Sequence, residues 1–297
     1  MKHVIIGSRG SDLALWQANF VKSELEKLGC NVTINIIKTQ GDIIQHLSFD
    51  KLEGKGFFTK EIEDALLNRS IDLAVHSHKD LETNPPDGLI ISCVSKRANP
   101  SDALLVNLSA VDPSEKWSLK QGSTVGTSSA RRKSQVLKYR PDSKIVDLRG
   151  NVPTRVDKLR QGNYDAILLA KSGLDRLGLD LSEFKVVVLD PTEFIPAPAQ
   201  GVLGLQVRSS DNELHSILQS INFPEVQKCI SLERKILNLL EGGCQLPLGA
   251  YCNENHELFV SLADNNGKCV SLNYAVTDFS GMAEKVVSDL NQKLTVV

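Results

Sequence analysis

Residues 3–37 read HVIIGSRGSDLALWQANFVKSELEKLGCNVTINII, and their order of apolar and polar residues indicates how the chain begins to fold. A short aliphatic run leads to Gly7, after which apolar residues recur at helical spacing until Gly29 ends the pattern. Residues 32–37 alternate between apolar and polar side chains, as a strand does. The stretch therefore predicts a strand, a helix over residues 12–28 and a second strand.

The same alternation of strand and helix continues along the chain and restarts after Pro100. It is typical of α/β units, in which a parallel or mixed sheet carries helices on both faces. Two such units are therefore expected. The predicted elements are strands at 72–76, 123–126, 144–148 and 165–170, and helices at 59–68, from Ala130 onwards and at 154–161.

The last third of the chain has a different pattern. Pro191, Pro196 and Pro198 form a break at which the chain is expected to cross back to the first unit. The remaining segments predict a smaller α+β domain, which completes a fold class of two α/β units and a small tail domain. Its predicted elements are a helix from Pro224 to about residue 241, strands at 257–263 and 270–276, and a helix at 281–294.

Composition excludes several classes of protein. The 297 residues include 34 Lys and Arg against 36 Asp and Glu, a net charge of −2, whereas nucleic-acid-binding domains are usually clearly basic. Apolar runs such as 166–170 are far shorter than the roughly 18 residues that span a bilayer, and the first ten residues lack the apolar core of a signal peptide. Six cysteines without a CxxC pair predict neither a disulfide framework nor structural zinc. We expect a reduced, cytoplasmic protein with no membrane or nucleic-acid partner.

The total charge conceals a strongly basic segment. Residues 131–160 hold ten Lys and Arg and three Asp, a local charge of +7 that leaves −9 for the rest. One interpretation is a solvated helix face. However, Arg131 and Arg132 lie in the first turn of a helix, where positive charge is unfavourable, directly after the potential caps Ser128 and Ser129. We therefore expect an anion to offset their charge.

Two further arginines follow predicted strands in the same way. Arg149 comes at the end of the strand at 144–148, with Arg155 in the next helix, and Arg9 follows the first strand. Ligands of open α/β sheets bind at the carboxyl ends of strands, and guanidinium groups bind carboxylates and phosphates in bidentate fashion. Neither GxxxxGK[ST] nor GxGxxG occurs, so a polycarboxylate fits at least as well as a nucleotide.

Two other places could carry chemistry. Residues 72–80, DLAVHSHKD, place His76, His78, Lys79 and Asp80 at the end of a strand; no third ligand lies at metal spacing, so no metal site is predicted. Asp80 is interpreted as a cleft carboxylate, with a loop or capping Asp as the alternative. The Gly54-Lys55-Gly56 loop is predicted to be mobile and to cover the cleft.

Cys244 follows a Gly-Gly pair at the end of a predicted helix. A lone cysteine is usually a small buried apolar residue, but this turn could present the sulfur to a cleft. A thiolate nucleophile usually needs a histidine or a positive field, and no histidine is close in sequence.

Eight segments in order resemble the porphobilinogen deaminase (hydroxymethylbilane synthase) family. Single segments such as GTSSARR are modest evidence, whereas the ordered set covers most of the chain. The segments are residues 6–9 with 13–18, 54–58, 72–80, 126–132, 148–152 with 154–155, 173–177, 200–201, and 241–244 with 247–251.

The resemblance implies a transferase that condenses four porphobilinogen molecules head to tail into hydroxymethylbilane and releases ammonia at each step, in tetrapyrrole and haem biosynthesis. It implies two periplasmic-binding-protein-like α/β domains with a cleft between them and a small α+β C-terminal domain. The expected boundaries are 1–97 with 196–218, 98–195, and 219–297. A monomer is the family expectation.

The resemblance also implies the site. A dipyrromethane cofactor is held through a thioether to Cys244, and Asp80 is the catalytic carboxylate. The other implied cofactor-binding residues are Lys79, Asp80, Ser128, Ser129, Arg131, Arg132 and Arg155. The implied substrate-binding residues are Arg9, Ser11, Lys55, Phe58, Arg149, Arg155, Arg176 and Gln200. Departures from the family pattern are Asp12, His78, Glu82 and Ala199, none of which has an implied role.

Two other hypotheses remain open from the residues. A non-catalytic solute-binding module or sensor for a polycarboxylate would use the same arginines, because a fold alone does not define a function. A phosphate-dependent enzyme would need nucleotide binding, against which the missing P-loop argues.

Overall fold

A computed structural model describes residues 2–39, 59–241, 245–264 and 266–295 of the chain. Within these residues the strands are β1 (His3–Ser8), β2 (Asn31–Ile36), β3 (Leu73–Ser77), β4 (Leu89–Val94), β5 (Asp102–Asn107), β6 (Thr124–Gly126), β7 (Lys144–Val146), β8 (Ala166–Ala170), β9 (Phe184–Val188), β10 (Leu203–Arg208), β11 (Leu248–Cys252), β12 (Glu257–Ala263) and β13 (Cys269–Ala275). The α-helices of the same part of the chain are α1 (Asp12–Lys27), α2 (Lys60–Leu67), α3 (Ala130–Tyr139), α4 (Val152–Arg160), α5 (Lys171–Leu177), α6 (Asn212–Gln219), α7 (Pro224–Leu239) and α8 (Met282–Thr295).

The first unit comprises Met1–Ala98 and Val202–Lys228. Its sheet has the order β2-β1-β3-β10-β4, in which β1 is parallel to β2 and β3, and β10 is antiparallel to both of its neighbours. Helix α1 packs Ala18, Val21 and Leu25 into the same core as the apolar side chains of this sheet. Because β10 follows the proline break, the predicted crossing back to the first unit is confirmed.

The second unit comprises Asn99–Gly201 and Cys229–Val297. Its larger sheet, β7-β6-β8-β5-β9, repeats the pairing of the first: β6 is parallel to β7 and β8, and β5 is antiparallel to β8 and β9. Strand β5 thus occupies the place that β10 occupies in the first sheet. The helices that follow β1 and β6 both begin with serine caps, Ser11 for α1 and Ser129 for α3.

The C-terminal part of the second unit is an antiparallel sheet, β11-β12-β13. One face packs against α7 and α8, with Ile236, Leu258, Val286 and Leu290 in the shared core. Helix α3 contacts β12 and β13. The fold class predicted from the sequence is confirmed: two α/β units and a small α+β part.

The structure refines the predicted boundaries. The first unit ends at Ala98 and resumes at Val202, against expected boundaries of 97 and 196, and it continues to Lys228. Residues 99–201 and 229–297 form one compact unit, so the separation of a third domain stays a prediction. Among the described residues no helix is both long and apolar enough to cross a membrane.

Candidate functional site

The loop after β6 is held in place by its own side chains. Ser129 Oγ accepts a hydrogen bond from the Arg132 N–H at 3.4 Å, which caps α3. Ser128 Oγ donates to the Leu148 carbonyl and accepts from the Leu148 N–H, both at 3.1 Å, which ties this loop to the segment after β7. A Cβ at Gly126 would lie 2.8 Å from Tyr164 Cδ1, so only glycine fits there without displacing the ring. The two neighbouring loops form one rigid edge of the sheet.

Arg131 and Arg132 converge on a single carboxylate. Arg131 Nη1 donates to Asp102 Oδ2 at 2.7 Å, and Arg132 donates to Oδ1 from Nε at 3.1 Å and from Nη2 at 2.7 Å. Asp102 is fully buried, and the arginines are 4% and 6% exposed. The anion expected from the sequence to offset these charges is thus supplied in part by the chain itself. Two cations and one anion leave the triad one net positive charge.

The ion pairs set the protonation of the triad. Burial by itself raises the pKa of Asp102, but the charges of Arg131 and Arg132 and their hydrogen bonds outweigh it and hold that pKa well below its ordinary value. Burial lowers the pKa of Arg131, and the charge of Asp102 opposes that shift. Asp102 is therefore ionised at neutral pH.

Gln200 belongs to the same cluster. Its Nε2 donates to Asp102 Oδ1 at 3.1 Å and to the Pro100 carbonyl at 2.7 Å, and the residue is fully buried. Gln200 lies next to Gly201, the last residue of the chain segment that leaves this unit, and Pro100 lies next to Asn99, where the chain enters it. The side chain thus holds the two crossing segments together within the second unit.

Residues 195–199, the segment that leads to Gln200, are held by contacts with α3, α7 and β11. The side-chain amide of Gln135 pairs with both backbone groups of Ile195, at 2.7 and 2.8 Å, and Arg131 Nη1 donates to the same Ile195 carbonyl at 2.9 Å. A Cβ at Gly249 in β11 would lie 2.6 Å from that carbonyl oxygen, so the two backbones approach closely. Glu233 on α7 accepts the Ala199 N–H at 2.7 Å. The C-terminal part is therefore connected directly to the Asp102 cluster.

A second loop, after β7, carries Arg149 and leads into α4. Asn151 Oδ1 caps α4 by accepting from the Thr154 N–H at 2.9 Å. Arg155 Nε donates to the Gly150 carbonyl at 2.7 Å, and Gly150 has a φ of +115°, which L side chains rarely adopt. Arg149 and Arg155 are half-buried. The backbone conformation of this loop thus sets the positions of the Cα atoms of Arg149 and Arg155.

Arg176 on α5 follows β8. Its Nη2 donates to the Gly201 carbonyl at 2.9 Å, and burial lowers its pKa to about 10, so it remains charged at neutral pH. Since β6, β7 and β8 are parallel, the segments after them meet at one edge of the sheet. Asp102, opposite Ala170 in the antiparallel β5, lies at that same edge. The structure brings together there Ser128, Ser129, Arg131, Arg132, Arg149, Arg155, Arg176 and Gln200.

The corresponding edge of the first sheet carries the other predicted residues. Arg9 and Ser11 follow β1, and Lys79 and Asp80 lie in a one-turn 3₁₀ helix, His78–Asp80, directly after β3. Gln17 Nε2 on α1 donates to Ser77 Oγ at 2.8 Å and so joins the two segments. Asp80 is exposed.

His76 and His78 are both buried in this unit. His76 Nε2 donates to Gln206 Oε1 at 3.1 Å, and Gln206 Nε2 donates to Glu63 Oε1 at 2.9 Å, which links β3 and β10 to α2. Burial lowers the pKa of His76 to about 4, so it is neutral at physiological pH. Within the described ranges no group of three His, Cys, Asp or Glu is placed to hold a metal ion.

Three predicted site residues, Lys55, Phe58 and Cys244, lie outside the described residues, as does the Gly54–Gly56 loop. Asp102, Gln135 and Glu233 were not predicted from the sequence. None of them was assigned a role by a motif, so only the tertiary contacts identify them. An Asp placed between a proline-containing turn and a buried strand, as in residues 100–106, was the available signal.

Two family models together match most of the chain. The family model described as "Porphobilinogen deaminase, dipyromethane cofactor binding domain" matches residues 4–216, and "Porphobilinogen deaminase, C-terminal domain" matches residues 227–295. The chain is 45% identical over 278 residues to a porphobilinogen deaminase of Nitratidesulfovibrio vulgaris, covering 91% of this chain and 86% of the relative. It is 40% identical over 301 residues to that of Geobacter sp. strain M21, covering 99% and 92%.

Among solved structures, the chain is similar to the periplasmic VFT2 domain of Bordetella pertussis BvgS, with 15% identity and a TM-score of 0.46 over 78% of this chain and 93% of that one.

Proposed function

The chain belongs to the porphobilinogen deaminase family, whose members join porphobilinogen molecules head to tail into hydroxymethylbilane with release of ammonia, and from this premise we propose which of its residues perform that reaction. The observation that carries the proposal is the gathering of guanidinium side chains at the edge formed by the segments after β6, β7 and β8.

The donor set at this edge fits a dipyrromethane cofactor, whose acetate and propionate groups are anions. Guanidinium groups and serine hydroxyls are the donors that carboxylates accept, and the Asp102 triad still carries a net positive charge. The cofactor, when bound, supplies the primer on which the chain of pyrroles is built. The residues proposed to hold it are Cys244 by a thioether, Lys79, Asp80, Ser128, Ser129, Arg131, Arg132 and Arg155.

Substrate carboxylates are bound by the remaining cations. Each porphobilinogen brings an acetate and a propionate, so the negative charge grows with every unit added, and a growing chain needs several guanidiniums to neutralise it. Arg149 and Arg155 are half-buried, and the lowered pKa of Arg176, about 10, leaves it charged at neutral pH. The residues proposed to bind substrate are the cations Arg9, Lys55, Arg149, Arg155 and Arg176 and the uncharged residues Ser11, Phe58 and Gln200.

Asp80 performs the acid–base chemistry in this proposal. Loss of ammonia from porphobilinogen leaves a cationic azafulvene, and formation of the new C–C bond places positive charge on a pyrrole nitrogen. An exposed carboxylate in the turn after β3 stabilises such charge and transfers protons. A positioned acid–base group contributes roughly 10²–10⁴-fold in rate. The arginines bind and orient, and the carboxylate stabilises charge that appears during the reaction.

The remaining expectations are also proposals. We infer that the protein acts as a monomer in the cytoplasm, without a nucleic-acid partner, and that residues 219–297 serve as a third domain. The net charge of −2 supports the absence of a nucleic-acid partner, and the free thiols of Cys30, Cys93, Cys229, Cys252 and Cys269 support a reducing compartment. The separate apolar core of the C-terminal sheet supports the third domain.

A direct assay tests the proposal. The purified protein, incubated with porphobilinogen, is expected to release ammonia and to form hydroxymethylbilane. A protein that binds porphobilinogen but releases no ammonia would instead be a solute-binding module, and the proposed roles would be wrong.

A further inference from the structure

The buried carboxylate of Asp102 is arranged as the centre of a donor cluster. Four hydrogen bonds reach its two oxygens: one from Arg131, two from Arg132 and one from Gln200. The donors come from the first turn of α3 and from the segment that precedes β10. One fully buried group therefore fixes two separate parts of the proposed ligand-binding edge.

Stability alone is a weak explanation for this cluster. A buried ion pair costs desolvation free energy that its Coulomb attraction often only balances, and apolar replacements of buried ion networks can be as stable. A buried carboxylate does, however, fix the direction of the guanidinium groups that it binds, because the fork geometry of arginine tolerates few orientations.

Charge gives Asp102 a second effect. Arg131 and Arg132 are adjacent; burial is the main cause of the lowered pKa of Arg131, and the charge of Arg132 adds to it. Without an anion between them the two guanidiniums would repel each other and turn towards solvent or any available anion. With Asp102 in place the two guanidiniums stay at fixed positions, and the triad has one net positive charge to offer a ligand.

We propose that Asp102 is a positioning residue for the proposed cofactor site: it holds Arg131 and Arg132 in the orientation that receives the dipyrromethane carboxylates, and Gln200 completes its shell. This inference rests on the proposed function. Asp102 touches neither cofactor nor substrate in this proposal and acts through the two arginines.

The test measures the rate of loading, which is the rate at which cofactor-free protein acquires the covalent dipyrromethane. Chains are produced in cells that cannot make porphobilinogen, then given porphobilinogen, and the gain in intact mass is followed at a temperature far below unfolding. Asp102→Asn is expected to load at least about tenfold more slowly than wild type, because a charged hydrogen-bond network is lost. Gln200→Ala, which keeps the carboxylate, is expected to load about threefold more slowly.

Asp142→Asn is the matched control. Asp142 also binds a guanidinium in the second unit, that of Arg140 at 2.8 and 2.9 Å, but beyond the other end of α3. Its variant is expected to lose stability yet load at the wild-type rate. A purely structural Asp102 would behave in the same way, with a lower melting temperature and normal loading.

A second measurement separates the inference from the proposed function. Phenylglyoxal modifies exposed arginines, so Arg131 and Arg132 should be protected in the wild type and become reactive in Asp102→Asn. Normal loading of folded Asp102→Asn, or unchanged protection of both arginines, overturns the inference. If Asp102→Asn does not fold, Gln200→Ala decides by the protection of Arg131 and Arg132, because Gln200 is itself a proposed substrate-binding residue and slower loading alone would not distinguish the two roles. A wild type that never gains mass contradicts the proposed function, and the protection pattern then still tests the positioning.

Discussion

Glu233 accepts a hydrogen bond from the backbone N–H of Ala199 at 2.7 Å, where Ala199 has a φ of +60°. The other carboxylate oxygen accepts the Cys252 N–H at 2.8 Å, so one fully buried side chain joins α7, β11 and the segment that carries Gln200. A left-handed conformation is costly for alanine, and such strain persists only where the surroundings hold it. Glu233 thus supports the backbone from which Gln200 reaches Asp102.

Replacing Glu233 by glutamine should destabilise the chain. The amide has one oxygen where the carboxylate has two, so one of the two buried N–H groups would face an NH₂ group. A loss of about 1–3 kcal/mol in the free energy of unfolding is expected, the cost of an unsatisfied buried donor, and urea denaturation measures it.

The control for this change is Glu284→Gln on α8. Glu284 pairs with Lys235 at 2.6 Å, but both side chains are about half exposed, and such pairs contribute little. If Glu233→Gln is no more harmful than Glu284→Gln, the connection between the C-terminal part and Ala199 does not stabilise the fold.

His76 should make the folded chain sensitive to acid. Its pKa is lowered to about 4 by burial, below the value of 6.5 in an unfolded chain. Between these values the unfolded chain binds more protons, so the free energy of unfolding falls as the pH is lowered from 6.5 towards 4. The contribution of this group amounts to about 3 kcal/mol at most.

Denaturation curves at several pH values measure this effect, and His76→Gln supplies the comparison, because glutamine does not titrate. As the pH falls from 6.5 towards 4, the free energy of unfolding should decrease more for the wild type than for His76→Gln. A difference that is constant from pH 7 to pH 4 would show that His76 does not titrate as its burial indicates.

Asp80→Asn should preserve the fold and abolish most turnover. The residue is exposed in a short turn and asparagine has nearly the same shape, so stability should change little. Turnover should fall by roughly 10²–10⁴-fold, the contribution of a positioned acid–base group. Steady-state assay of hydroxymethylbilane formation and intact mass are the measurements.

Asp87→Asn is the matched control, since Asp87 is an exposed aspartate of the same unit in the turn before β4. It should turn over at the wild-type rate. Full activity in Asp80→Asn would remove Asp80 from the mechanism.

Sequence patterns predicted the alternating parts of the fold well. Strand β1, helix α1 and strand β2 appear where residues 3–37 indicate, and the cap at Ser129 is confirmed. Strands β5 and β10 were not predicted. The continuous apolar run of Asp102–Asn107 has no alternation that would distinguish a buried strand from a buried helix. Strand β10, Leu203–Arg208, does alternate between apolar and other residues, but this pattern was not interpreted as a strand. Its antiparallel place between β3 and β4 depends on contacts over more than 100 residues.

The proposed site was predictable only in part. Arginines that follow strands led to the prediction of an anion-binding edge. The structure brings those of the second unit to one edge of one sheet. The sequence could not indicate that Arg131 and Arg132 share Asp102. The aspartate lies 29 and 30 positions before these adjacent arginines, and no motif includes it. Motifs identify residues that are expected to contact ligands, whereas residues that only orient those side chains are identified from their tertiary contacts.

Covalent attachment of the dipyrromethane at Cys244 is tested by the intact mass of the wild-type chain and of Cys244→Ala after exposure to porphobilinogen. The wild type is expected to gain the mass of a covalent dipyrromethane, and Cys244→Ala is expected to gain nothing, because the thioether cannot form. Cys93→Ala serves as a control that should load normally, since burial raises the pKa of that thiol to about 12 and keeps it unreactive. A wild-type chain of unmodified mass would contradict the cofactor-dependent reaction, and an adduct that persists in Cys244→Ala would contradict attachment at this cysteine.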